Sequence, residues 1–291
     1  MNTFDLRPLS LGEILDRTFT LYRSYFLLFV GISAIPRVLV LVLNLAQVFV
    51  LIPMGGLGLG GAAPRAPVPS TQMVGGIVAY AVLAMLGLVV GLIVLLLTQG
   101  ATIIAVSELY LGRSITIADS FRRVRGDLGT LLGVVILNGL AVFAGFIFLI
   151  IPGIYIMCRL LVCVPAALTE NLGPVESLER SFALTLDNAG RAFMILLLYF
   201  AISFGAGALF AAPFEVGVFF SKNSPGLLAF WLAMTQVGAF VAGVLVTPVV
   251  TIASAVFYYD LRVRKEAFDL QMLMSPLGIA RTSGGVPTVL S

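Results

Sequence analysis

Residues 74–107, VGGIVAYAVLAMLGLVVGLIVLLLTQGATIIAVS, carry no charged side chain from Val74 to Ser107. As a helix rising about 1.5 Å per residue, this run is longer than the roughly 30 Å hydrocarbon core of a bilayer. Its apolar residues form one long run and leave no periodic polar face for water. Five comparable runs surround it, at about 25–51, 128–151, 153–169, 192–212 and 227–259, giving six predicted spans. Of the whole chain 60% is hydrophobic and 11% charged, whereas a soluble domain needs about 25% charged residues to solvate its surface. The predicted solvent is therefore lipid. The predicted fold class is all-α, a polytopic transmembrane helical bundle.

The runs at 74–107 and 227–259 are too long for a straight crossing, so they tilt, kink or project. Thr98-Gln99-Gly100 and Pro248 are the predicted weak points. The fourth run is short and opens at Pro152-Gly153, which predicts a tight hairpin with the third. Charge fixes the expected orientation. Thirteen of the seventeen Lys and Arg residues fall in the N-terminus, 108–127, 170–191 and the C-terminal segment. The intervening loops hold only Arg65 and Lys222, while Arg37 and Arg159 lie inside spans. By the positive-inside rule the first group faces the cytoplasm, with both termini. Thirteen of fourteen acids share that side, Glu215 being the exception. Residues 1–274 read as one integral membrane domain whose first span is an uncleaved signal anchor. The Pro- and Gly-rich loop 53–73 is expected to be irregular and the tail 275–291 disordered. Cys158 and Cys163, five apart on a helix, point apart and read as small apolar residues.

Two segments repeat. Glu13-Ile14-Leu15-Asp16-Arg17-Thr18-Phe19 and Glu176-Ser177-Leu178-Glu179-Arg180-Ser181-Phe182 both read E-x-L-[D/E]-R-[S/T]-F, each shortly before an apolar run. Ala118-Asp119-Ser120-Phe121 is a degenerate third copy. The chain divides into three units, each an amphipathic interfacial helix (about 9–23, 115–124 and 174–186) followed by a two-span hairpin. Each hairpin returns to an acid at the cytoplasmic boundary: Glu108, Glu170 and Asp260. The first helix sets Leu11, Ile14, Leu15, Thr18, Phe19 and Tyr22 on one face and Glu13, Asp16 and Arg17 on the other. Such helices either act as collars tied by Arg–carboxylate pairs or meet lipid, with Phe19 toward the acyl chains. The collar reading is the simpler.

At these residues the sequence resembles the bacterial membrane-domain family named after glycerophosphoryl diester phosphodiesterase. The resemblance rests on Arg7-Pro8-Leu9-Ser10-Leu11-Gly12-Glu13-Ile14-Leu15-Asp16, on Tyr110-Leu111-Gly112-Arg113 and on Ile151-Pro152-Gly153-Ile154-Tyr155 with Arg159. Glu179-Arg180-Ser181-Phe182 and the stretch from Tyr258-Tyr259-Asp260-Leu261-Arg262 through Arg264-Lys265-Glu266-Ala267 to Leu270 complete it, Ala267 standing where glycine is expected. It implies a six-span protein of the bacterial cytoplasmic membrane and no particular activity. Some members of that family are fused to a soluble phosphodiesterase barrel, whose chemistry uses histidine and carboxylates around a divalent metal. These 291 residues hold no such barrel and no histidine.

Arg37 and Arg159 are the candidate anion or lipid site, because an ionisable group inside a span is costly. Each also has a structural reading. Arg159 pairs with a carboxylate or with free carbonyls at the hairpin turn, and Arg37 caps the carbonyl that Pro36 frees one turn back. Asn44, Gln47, Gln99, Asn138 and Gln236 read as interhelical hydrogen-bond formers, and Gly87/Gly91 and Gly238/Ala242 as close-packing pairs. Arg262, Arg264 and Lys265 follow the last span directly, where orientation or anionic-lipid contact explains them. No phosphate loop, HExxH, CxxC or Ser–His arrangement is present. No catalytic residue, metal site or cofactor is predicted. The leading expectation is a non-enzymatic membrane protein engaging lipid or another amphiphile, in envelope homeostasis or transport. A secondary transporter or channel, and an anchor for a partner membrane or cytoplasmic protein, are its rivals. Nucleic acid is not an expected partner, since the basic residues form no separate domain. Oligomeric state is not readable.

Overall fold

The computed structural model describes residues 9–51, 70–221 and 224–266. The 275–291 tail, the 53–69 part of the Gly/Pro loop, Arg7, Arg65, Lys222, Arg281 and the closing motif beyond Glu266 lie outside the described residues. The regular elements described are all helical: α1 (Leu11–Ser24), α2 (Phe26–Leu51), α3 (Ser70–Tyr110), α4 (Ile117–Val124), α5 (Leu128–Phe148), α6 (Ile150–Arg159), α7 (Cys163–Glu170), α8 (Pro174–Thr185), α9 (Ala189–Phe210), α10 (Ala212–Phe220) and α11 (Pro225–Glu266). The protein is an all-α helical bundle. Six segments are long and apolar enough to cross a membrane: Phe26–Val50, Val74–Tyr110, Leu128–Phe148, Ile150–Glu170, Ala189–Phe210 and Pro225–Glu266.

The short helices start where their first turns dictate. Glu13 is the third helical residue of α1, and it and Ser10 cap each other's backbone N–H groups, at 2.6 and 3.3 Å. Glu176 holds the same place in α8 and accepts from the Gly173 N–H at 3.0 Å, with Pro174 opening the helix. Thr116 caps α4 by accepting from the Asp119 N–H. The first glutamate of the E-x-L motif is thus a helix starter in both copies.

α11 is the spine. With 42 residues it rises about 60 Å and packs against α1, α2, α3, α9 and α10. Its second half is almost wholly buried, and Ile252, Phe257, Tyr258 and Leu261 meet Ile14, Phe29, Ile103, Val106 and Leu131 in one core. Elsewhere the bundle turns apolar side chains outward: Leu27, Phe148, Ile151, Phe204 and Phe220 are each about four-fifths exposed. In water this surface is untenable, and in hydrocarbon it is ordinary.

Two expectations about the spans need correction. α3 runs unbroken through Thr98-Gln99-Gly100, and α11 runs unbroken through Pro248. The interruption falls in the fourth span instead, where residues 160–162 leave the helix between α6 and α7. Pro165 lies four residues after Leu161 and has no N–H to meet the Leu161 carbonyl, so the helix restarts only at Cys163. The fifth apolar run ends at Phe210, in agreement with the expected end near 212, and is followed by the separate helix α10. The predicted α5–α6 hairpin is present and turns on the single extended residue Leu149. A Cβ on Gly145 would stand 3.0 Å from the Gly153 Cα, so the two glycines let the hairpin arms touch.

Candidate functional site

The ends of α3, α7 and α11 meet, and there each boundary acid finds an arginine. Glu108 accepts from Arg123 of α4 at 2.5 Å and lies 3.7 Å from Arg113. Glu170 takes a forked contact from Arg180 of α8, at 2.8 and 3.1 Å, and accepts from the Tyr258 hydroxyl at 2.6 Å. Arg180 also binds Glu266, which in turn accepts from Arg262 at 3.0 Å. Burial pulls the Arg180 pKa down, but the hydrogen bonds it donates to Glu170 and Glu266 outweigh it and hold the group above its ordinary value.

Asp260 is 2% exposed and most tightly held. It accepts from the Leu9 N–H at 2.6 Å, from Arg191 at 2.8 Å and from Arg264 at 3.0 Å. Both arginines donate onward to the Leu9 carbonyl. Leu9, at the start of the described chain, is therefore clasped through both its N–H and its carbonyl. Lys265 donates to the Ala183 carbonyl at the end of α8. Asp16 and Glu179 face outward, while Phe19 lines an apolar crevice with Ile195, Tyr199 and Val249. Arg17 lies beside Tyr110.

Arg159 is 7% exposed, and its guanidinium meets no carboxylate among the described residues. It donates to the Tyr155 hydroxyl at 2.8 Å and the Phe182 carbonyl at 2.7 Å, and sits 5.0 Å from the Phe182 ring centroid. Its own carbonyl, freed by the break after α6, accepts from Ser181 at 2.7 Å and Thr185 at 3.0 Å. The E-R-S-F motif of α8 is accordingly a plug: Arg180 holds the end of α7, Ser181 holds the break, and Phe182 cradles Arg159. The expected carboxylate or hairpin-turn partners of Arg159 are replaced by α8. The sequence reading had Ser181 only as a letter of the repeat and did not name Thr185, although their spacing of four puts two hydroxyls on one helix face.

Arg37 sits differently. It lies about 17 Å of helical rise into α2 and donates to the Thr247 hydroxyl of α11 at 2.7 Å, not to the carbonyl freed by Pro36. A Cβ at Gly243 would stand 1.9 Å from Arg37 Nη1, so that glycine makes the room the guanidinium occupies. Arg37 lines a cavity of about 340 Å³ between α2, α3 and α11 with Asn44 and Gln236, walled by Val40, Leu41, Val94, Leu95 and Phe240. Arg159 is not in its lining. The two deep arginines do not converge on that cavity. Asn44 donates to Gln236 at 3.4 Å, Gln47 to the Leu83 carbonyl at 3.2 Å, and Asn138 to Cys163 Sγ at 3.2 Å. Both cysteines are free and buried. Among the described residues no three Cys, Asp or Glu side chains are grouped as metal ligands.

Fold and site together define a multi-pass helical membrane bundle whose acids are neutralised at one end and whose cations penetrate its interior. Comparison with protein-family models, with curated proteins and with solved structures returns no match.

Proposed function

We propose that the chain is a non-enzymatic integral membrane protein that holds an anionic lipid or similar amphiphile, its head group against Arg37. The observation that carries this is the Arg37 cavity. A guanidinium stays ionised at any relevant pH, and placing one at the centre of a span costs about 3 kcal/mol on insertion scales. Thr247, a neutral hydroxyl, compensates only part of that. A phosphate or carboxylate would supply the missing charge-assisted bonds. The apolar walls suit an acyl chain, and the Asn44–Gln236 amides suit the polar part of a head group. The absence of catalysis is part of the proposal, supported by the three boundary acids being occupied by arginines. The proposal also takes in the threefold repeat, the family resemblance and a bacterial cytoplasmic membrane with the arginine-rich end inside, which the charge distribution favours.

Native mass spectrometry of the detergent-purified protein tests it. The wild type is expected to retain a lipid-sized adduct that R37L loses. R159L, whose arginine already spends its two terminal nitrogens on Tyr155 and Phe182 and lies outside the Arg37 cavity, is expected to keep that adduct. Equal retention by wild type and R37L, or no retained amphiphile at all, removes the proposal. A phosphate-sized adduct alone would point to a free anion. A secondary transporter is the second reading, favoured by the interruption of the fourth span beside a polar cavity.

A further inference from the structure

Between Asn138 and Tyr155 the chain reads GLAVFAGFIFLIIPGI, without one polar side chain, yet this stretch contains the turn from α5 to α6. The connections after the first and fifth apolar runs are of another kind, carrying Arg65 and Ser221-Lys222-Asn223-Ser224. At the hairpin tip Ile147, Phe148, Leu149, Ile150 and Ile151 are 67–80% exposed. A turn that reaches water at a membrane surface carries polar groups or the Trp and Tyr of the interface. This one would give water five large apolar side chains.

The hairpin is also short. Its base stands beside α3, where a Cβ on Gly100 would lie 3.0 Å from Leu131 Cδ1. From Leu131 to Phe148, the last residue of α5, is about 26 Å of helical rise, and from Gly100 back to Val74 about 39 Å. The outward apolar face of α3 continues to Val74, through Leu88, Met85, Val82 and Ile77. The tip therefore stops at least about 13 Å short of the end of that face, and any tilt of α5 shortens its reach further. α11 measures the same. Tyr258, bonded to Glu170 where the hairpin ends, lies about 46 Å of rise from the exposed Leu227, against about 31 Å for all of α5.

Irregular backbone is costly in hydrocarbon, and this turn confines it to one residue, Leu149. The Leu149 N–H donates to the Gly145 carbonyl, and the Leu149 carbonyl accepts from the Gly153 N–H, each at 3.2 Å. Pro152 has no N–H, so two of the four N–H groups that a helix start leaves open are removed. We propose that α5 and α6 form a re-entrant hairpin, which enters from the arginine-rich end, turns among the lipid acyl chains and returns to the same end. The other four apolar runs cross the membrane, and the sides expected for the loops stay as they are. The proposal rests on the chain being embedded in a bilayer, and not on what fills the Arg37 cavity.

Nitroxide depth measurements in proteoliposomes test it. Single cysteines L149C, V74C and S114C are labelled in a C158A/C163A background, which removes the two native thiols. The ratio of oxygen to nickel-chelate accessibility rises with depth in the bilayer. It is expected to be severalfold higher at 149 than at 74, and lowest at 114. Hydrogen exchange of the wild type in nanodiscs needs no variant. The Ile150 and Ile151 amides are expected to exchange at least tenfold more slowly than those of the 111–116 connection. A ratio at 149 no higher than at 74 overturns the proposal, as does exchange at 150–151 as fast as at 111–116.

Discussion

Replacing Asp260 with alanine is expected to destabilise the detergent-purified protein by about 3–5 kcal/mol, the range for removing one partner of a buried ion pair. The loss is large because three donors converge on one carboxylate. Without it Arg191, Arg264 and the Leu9 N–H remain in place with no acceptor on that side. The two arginines also hold the Leu9 carbonyl, so the start of the described chain loses its grip on α9 and α11 together. D260N keeps one acceptor oxygen and is expected to fall between wild type and D260A. Thermal unfolding reads the difference, expected as a drop of about 10 °C for D260A. A shift below 2 °C in D260A would mean that water replaces the carboxylate at no penalty, and that the clasp contributes nothing.

The second large effect is expected at Gly238. A Cβ there would stand 1.9 Å from the Phe210 carbonyl oxygen, 2.7 Å from its carbon and 3.0 Å from the Ala211 Cα. These are backbone atoms at the junction of α9 and α10, with no rotamer to escape into. G238A therefore has to push the junction away from α11, at about 3 kcal/mol or more. That outweighs the gain in helix propensity, about 1 kcal/mol for alanine over glycine. G91A is the contrast. Nothing lies within 4 Å of its Cβ position, and the residue lines the Arg37 cavity. It is expected to be neutral or slightly stabilising in thermal unfolding while narrowing the cavity. G238A as stable as wild type would contradict the packing described.

That contrast also marks how far the sequence could be read. The apolar runs were legible because length and missing charge suffice to define a span, whatever its neighbours. The pairing of Glu108, Glu170 and Asp260 with arginines was legible as a class, since acids ending apolar runs must be neutralised. Gly238 was read correctly as a close-packing site. Gly87 was too, a Cβ there standing 3.1 Å from Gln47 Nε2, but Gly91 faces open space, because spacing alone cannot tell a glycine facing a neighbour from one facing a void. Pro248 drew attention as a breaking point, yet α11 stays whole, with the Tyr22 hydroxyl donating to the Leu245 carbonyl at 3.0 Å nearby. Pro165 did the breaking, and its signature was present as a proline inside a run otherwise predicted helical. The setting of Arg37 was beyond reach: Gly243 and Thr247 lie more than 200 residues away, and no pattern in one chain links them to it.

The account turns on what occupies the Arg37 cavity. A cryo-EM structure of the full chain in lipid nanodiscs measures this directly. The expected map shows elongated density between α2, α3 and α11, its head within hydrogen-bond distance of the Arg37 guanidinium and its tail along Val94, Leu95 and Phe240. A map in which Arg37 meets only Thr247 and water, with no tail density against those walls, would contradict it.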